Sequence, residues 1–253
     1  MEIDPVAKAF QRSFTALANT LPATITTMTV LMKPTTPTQV DLSDLETQFN
    51  TPTTKALVSE ITGDPKDINL KPTVFHNSLI FKCRAKEAVK LFTNGNMHVT
   101  GVQDLTDAVA LADVLSNLTN QICDTQPYGS SPEFTYEVQM INLCYQIPSL
   151  QTPQKLDLSK LLTLLTSNTP YSAFYNTERH AGIILRAPTF TLLIFQSGKI
   201  ILSSIQNSTQ LEDAKIFIQN SVNELAEQCV VTEAQPLWSK KRKFDYSQYL
   251  VLK

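Results

Sequence analysis

Two stretches of the chain follow a helical period. Leu105, Val109, Ala112, Leu115 and Leu118 recur at steps of three and four, as do Ala214, Phe217, Ile218, Ser221, Val222 and Leu225, so each stretch predicts an amphipathic helix. Asp104 and Asn207 stand just ahead as N-caps, and Cys123 and Cys229 lie near the ends. Upstream of each helix, a β-rich run reaches a phenylalanine three residues before a glycine, Phe92 with Gly95 and Phe195 with Gly198, and another β-rich run follows. That pattern predicts a two-stranded hairpin. Further upstream, Asp41, Leu42 and Ser43 match Asp157, Leu158 and Ser159 at the start of short helices, preceded by β-rich segments over 24–32 and 138–147.

The same elements recur in the same order, so the chain predicts an internal repeat. The expected organisation is an N-terminal helical extension over 1–22, with Val6, Phe10, Phe14 and Leu17 on one side, and a first repeat over 23–123 with an insertion loop at about 50–72. A Pro/Gly/Ser hinge over 124–133, a second repeat over 134–229 and a basic tail over 230–253 containing Lys240, Lys241, Arg242 and Lys243 complete it. The tail reads either as a solvated end or as an import signal or auxiliary phosphate contact. Each repeat, with four or five antiparallel strands and two helices, is an α+β unit whose helices cover one sheet face and leave the other bare. Neighbours along a strand face opposite sides. Leu91 and Ile194 therefore face the helices while Phe92 and Phe195 face the bare side.

Composition narrows what a bare face can do. With 42% apolar and 17% charged residues, 21 Lys+Arg and 23 Asp+Glu, the chain can bury a sizeable core and is close to neutral at -2. Six glycines leave no GxGxxG or GxxxxGK[ST] phosphate cradle, which argues against a kinase, a P-loop ATPase or a Rossmann dehydrogenase. No run of 18 apolar residues exists, and Glu2, Asp4, Lys8 and Arg12 interrupt the first twenty, so neither a membrane span nor a signal peptide is expected. Cys83, Cys123, Cys144 and Cys229 are widely spaced, as reduced, mostly buried thiols would be. His76, His98 and His180 come from separate segments without metal-ligand spacing, and no nucleophile and base pairing is legible. An enzyme, a metal and a cofactor are therefore not expected.

The run from Thr191 to Ser204, with Ala181 to Arg186 before it, resembles the hairpin and preceding strand of the TATA-box-binding protein family. Gly182, Ile184, Arg186, Leu192 to Phe195, Ser197, Gly198 and Lys199 keep the family pattern, whereas Ser203, Ser204, Ile205 and Gln206 replace its Thr-Gly-Ala-Lys. The first half is more distant, keeping Leu91, Phe92, Gly95 and Val99 to Gly101, with Lys90 where a leucine is usual. The element order matches over about 23–229, and divergence of this kind is similar to the TATA-binding-protein-like factors of large DNA viruses.

The resemblance implies a saddle in which two pseudo-symmetric repeats form one curved antiparallel sheet with helices on the convex face. In the family the concave face sits on the minor groove of DNA and phenylalanines wedge into base steps. Carried over, the wedges are Phe92 and Phe195, with His180 as the second wedge of the second half and Phe75 or His76 as that of the first. Minor-groove contacts map to Asn142, to its ungapped counterpart Thr26, and to Cys144, Met28, His98, Thr100, Ile201, Ser203 and Leu193. Phosphate contacts map to Lys82, Arg186 and Lys199. Asn96, Gln103 and Gln206 stand where the family has lysines, which implies weaker and less salt-dependent binding. Asp104, Asp107, Glu212 and Asp213 fall on the helical side, so a neutral total conceals a polarised molecule. The expected function is a monomeric, non-enzymatic transcription factor that binds and bends AT-rich promoter DNA. It would work with a TFIIB-like factor and RNA polymerase subunits inside the cell, in a host nucleus or viral factory. The alternative is an interaction adaptor with the same fold and little intrinsic DNA affinity.

Overall fold

A computed structural model describes residues 23–62, 68–71, 77–83, 86–150, 153–178 and 180–232. They group into two compact units. One takes the described residues up to Cys144 together with Ser203–Glu212, and the other takes Tyr145–Leu202 with the described residues from Asp213 on. The expected N-terminal helix, the basic tail, Phe75 and His76 lie outside the described residues.

In the first unit the strands are β1 (Ala23–Pro34), β2 (Ile68–Lys71), β3 (Ser78–Cys83), β4 (Glu87–Phe92), β5 (Met97–Val102) and β6 (Phe134–Gln146), whose last two residues belong to the second unit. Their order in the sheet is β2-β3-β4-β5-β1-β6. Val30, Met32, Leu79, Phe81, Val89, Leu91, Met97 and Val99 alternate onto one face and are buried. Helices α1 (Leu42–Phe49), α2 (Pro52–Thr62) and α3 (Leu105–Ile122) accompany that sheet, and Phe49 of α1 meets Phe81 edge-on with ring centres 5.2 Å apart. The predicted stripe of α3 is buried at every position, Leu105, Val109, Ala112, Leu115 and Leu118. Asp104 caps α3 by accepting from the backbone N–H groups of Thr106 and Asp107 at 2.6 and 3.2 Å.

The second unit has β7 (Lys155–Leu156), α4 (Leu158–Asn168), β8 (Ser172–Phe174), β9 (Gly182–Arg186), β10 (Thr191–Phe195) and β11 (Lys199–Ile205), with Ser203 onward of β11 grouped in the first unit. After β11 come α5 (Ser208–Phe217), whose residues up to Glu212 belong to the first unit, a π-helical turn over Ile218–Val222, α6 (Asn223–Glu227) and β12 (Val230–Val231). The sheet order is β11-β10-β9-β8, and β12 pairs with β7. Ile183, Leu185, Leu192, Ile194, Ile200 and Leu202 form its buried face. The predicted second helix exists but is interrupted by the π turn, in which Asn223 N–H bonds back to Ile218 O.

Matching bonds recur in the two halves of the sequence. Asp41 accepts from Ser43 and Asp44 N–H, both at 3.0 Å, and Asp157 accepts from Ser159 and Lys160 N–H, both at 3.0 Å. Val40 N–H bonds to Thr93 O at 2.8 Å, and Leu156 N–H to Gln196 O at 2.8 Å. Each short helix is thus anchored to the hairpin of its own half at the same place.

Two segments differ from expectation. Residues 52–62 are a helix, not a loop, because Thr51 Oγ1 accepts from Thr54 N–H at 3.3 Å and Pro52 occupies the first helical position, where a missing N–H costs nothing. The expected hinge is a pinned turn. Tyr128 is buried and donates its hydroxyl to Gly95 O at 2.9 Å, while Asn120 accepts from Tyr128 N–H at 2.8 Å and donates to Gly129 O at 2.6 Å.

Candidate nucleic-acid interface

The sheet face opposite the helices is built in each unit by alternation. In the first unit Phe92, His98, Thr100, Asn142 and Cys144 are half-buried, each following a buried residue, and Lys82 is exposed. In the second, Leu193, Phe195 and Ile201 are half-buried while Arg186 and Lys199 are exposed. Ser203, grouped with the first unit, follows Ile201 along β11 and is also half-buried.

The hairpin turns explain why the phenylalanines sit where they do. Gly95 and Gly198 adopt φ of +74° and +76°, a left-handed backbone that side chains disfavour. Their N–H groups bond back to Phe92 O and Phe195 O, each at 2.9 Å. A Cβ on Gly95 would lie 2.6 Å from Thr38 Cγ2, and one on Gly198 would lie 2.5 Å from Leu150 Cδ2. Glycine thus closes the turn in both halves, and the turn fixes the phenylalanine.

Each phenylalanine has a histidine beside it. Phe92 meets His98 edge-on at 5.3 Å, and Phe195 meets His180 at 5.9 Å with the rings tilted by 39°. Two of the residues expected as wedges, His180 and Phe195, are therefore together. Phe92 also lies 5.1 Å beneath the Lys90 ammonium, a cation that takes this face by pairing with His98 across β4 and β5. Burial, helped by Lys90, holds the His98 imidazole below its ordinary pKa. His180 Nδ1 lies 3.0 Å from Gly182 O and 3.2 Å from Gly182 N, and the ring's tautomer decides which of the two it bonds.

Two expected minor-groove residues are misplaced. Met28 is 2% exposed and lies inward with Val30 and Met32, while Ile141, Leu143 and Tyr145 of β6 point inward. The structural counterparts of Asn142 and Cys144 are therefore Thr27 and Thr29, one residue beyond the ungapped alignment, because a single-residue slip in a strand flips every side chain. Asn142 Nδ2 donates to Thr27 Oγ1 at 2.9 Å. Thr26 instead donates its hydroxyl to Asn142 O at 3.0 Å. Asn142 Oδ1 is buried without a partner, the kind of group that calls for a water, a ligand or a strain argument. Thr100 donates its hydroxyl to Ala88 O at 3.1 Å.

Phe174 was not legible in the sequence. It pairs across β8 and β9 with Ile184, which pairs in turn with Leu193. Directly opposed residues share a face, so this aromatic ring joins the open side. It is 42% exposed, with the Arg186 guanidinium 5.3 Å from its ring centre. Only knowledge of the β8–β9 register would have found it.

The fold and these faces define an α+β protein with antiparallel sheets covered by helices on one side. A family model described as transcription factor TFIID, or TATA-binding protein, matches residues 146–226. A TATA-box-binding protein of Methanococcus aeolicus is 27% identical over 185 residues, covering 68% of this chain and 93% of the relative. One from Pyrobaculum calidifontis is 25% identical over 156 residues, covering 61% and 71%. The solved structure of Methanococcus jannaschii TBP is similar with a TM-score of 0.50 and 15% identity, over 81% of this chain and 98% of that one, which speaks to fold alone. Together these findings make the chain similar to the TATA-binding-protein family, with the family model matching within its second half.

Proposed function

We propose that this chain is a promoter-recognition factor that binds AT-rich duplex DNA in the minor groove and bends it to nucleate transcription. The observation that carries the reading is the half-exposed phenylalanine at each hairpin, Phe92 and Phe195, held by a glycine turn on the sheet face free of helices. A rigid apolar ring enters a base step that unstacks readily, and TA steps do so, so sequence preference arises from deformability. Thr27, Thr29, Asn142, Thr100 and Ser203 offer the short hydrogen-bonding groups that the A·T acceptors of the minor groove accommodate. Lys82, Arg186 and Lys199 are the phosphate contacts, and the protein partners of this reading are a TFIIB-like factor and polymerase subunits.

Titrating the full chain with a TATA-containing duplex and with a GC-only duplex, at two salt concentrations, tests the reading. Tighter binding to the TATA duplex with a shallow salt slope is expected, because few cations reach phosphate. Equal or undetectable binding to both overturns it in favour of the adaptor.

A further inference from the structure

The structure assigns a second aromatic contact to the edge of the second unit's open face: we infer that Phe174 and Arg186 together grip the sugar–phosphate backbone at one end of the bound duplex. This rests on the minor-groove reading above and adds a residue pair to it.

Three observations carry the inference. Phe174 and Ile216 are the large hydrophobic side chains that stand exposed among the described residues, at 42% and 49%. Phe174 belongs to the same cross-strand row as Ile184 and Leu193, so its ring extends the apolar strip of the open face out to the edge strand β8. Arg186, paired with Ser172 on β8 and with Thr191 on β10, projects from the same face and stands over the ring at 5.3 Å.

The chemistry of the pair suits one ligand. A guanidinium is planar, weakly hydrated and matched to two phosphate oxygens, and stacking on an aromatic ring fixes its direction before binding. The deoxyribose between successive phosphates offers an apolar C–H surface of about ring size. A ring on the sugar with a guanidinium on the adjoining phosphate positions the duplex without reading bases. The edge of the first unit is built differently. There β2 pairs with β3, setting Asn69 opposite Lys82 and Lys71 opposite Ile80, with no aromatic residue on that strand. Among the described residues the grip therefore belongs to the second unit.

The experiment compares wild type, Phe174→Ser and Phe174→Leu on an AT-rich duplex by fluorescence anisotropy and hydroxyl-radical footprinting, with circular dichroism to confirm folding. Phe174→Ser is expected to bind about tenfold more weakly and to lose sugar protection at one end of the footprint, while Phe174→Leu retains part of both. If wild type binds and Phe174→Ser matches it in affinity and footprint, the inference is overturned and the promoter reading stands. If wild type itself does not bind the AT-rich duplex, both fall together.

Discussion

Phe92 and Phe195 occupy the same position in two hairpins but keep different company. Phe92 is held edge-on by His98 and lies under the Lys90 ammonium. Phe195 has His180 beside it at a shallower tilt. A ring that enters a base step must give up such contacts. A cation over a ring and an aromatic pair are each worth about 0.5–1 kcal/mol at exposed sites. The second hairpin is therefore the better prepared wedge and the first the more stabilised in the free protein. Similar sequence positions do not make equal tools, because a few neighbours decide how easily the ring is released.

The largest expected difference is in DNA affinity. Phe195→Ala is expected to weaken binding to a TATA duplex about a hundredfold and Phe92→Ala about tenfold, the span seen for aromatic stacking on bases. Equal losses would erase the proposed asymmetry. The backbone near the end of each hairpin gives the next contrast. Gly101 has φ +86° and its counterpart Ser204 has φ +67°. A Cβ on Gly101 would run into Lys86 O, so Gly101→Ser should destabilise the protein by more than about 1 kcal/mol in urea denaturation. Ser204→Gly should be stabilising by about 0.5–1 kcal/mol, because glycine adopts that φ without strain. If both substitutions destabilise, the two bends are not equivalent.

The residue opposite each wedge sharpens the contrast further. Ser78 pairs with Phe92, and Gly182 pairs with Phe195. Ser78 is 1% exposed and its hydroxyl has no partner, whereas a Cβ on Gly182 would lie 2.6 Å from Ile194 O and 3.1 Å from Phe195 Cδ1. Ser78→Ala is expected to be neutral or stabilising by up to about 1 kcal/mol, since an unsatisfied buried group is removed. Gly182→Ala should lower the melting temperature and displace the Phe195 ring, visible as a loss of affinity greater than the loss of stability accounts for.

What the sequence made legible follows from how local each feature is. The helix stripes, the caps at Asp41, Asp104 and Asp157, and the glycine turns depend on residues within a few positions of one another, and all appear in the structure where the pattern put them. The inward or outward direction of Leu91, Phe92, Ile194 and Phe195 followed from alternation once the hairpins were placed. The long strands were harder. Asn142 and its counterpart were aligned through the helix starts, whose spacing is 116 residues, but the strands are offset by one fewer, so Thr27 and Thr29 hold the places assigned to Thr26 and Met28. Phe174 depends on a partner strand ten residues away and the Tyr128 hydroxyl on Gly95 in the hairpin, and nothing local marks either.

The smallest expected effect concerns His98, and its sign can be worked out. The folded protein holds this imidazole below its ordinary pKa, mainly through burial and secondly through the Lys90 charge. The unfolded chain therefore binds the proton more readily. The resulting stability is fully present above the unfolded histidine pKa and is lost as pH falls through the lower folded value. Urea melts at stepped pH should show stability declining on acidification below the unfolded histidine range, and His98→Gln should flatten that step without altering the plateau at higher pH. Because Lys90 contributes to the depression, Lys90→Leu should move the step toward lower stability loss while leaving part of it. A step unchanged in both variants would assign the acid sensitivity to another group and remove the histidine from the difference between the hairpins.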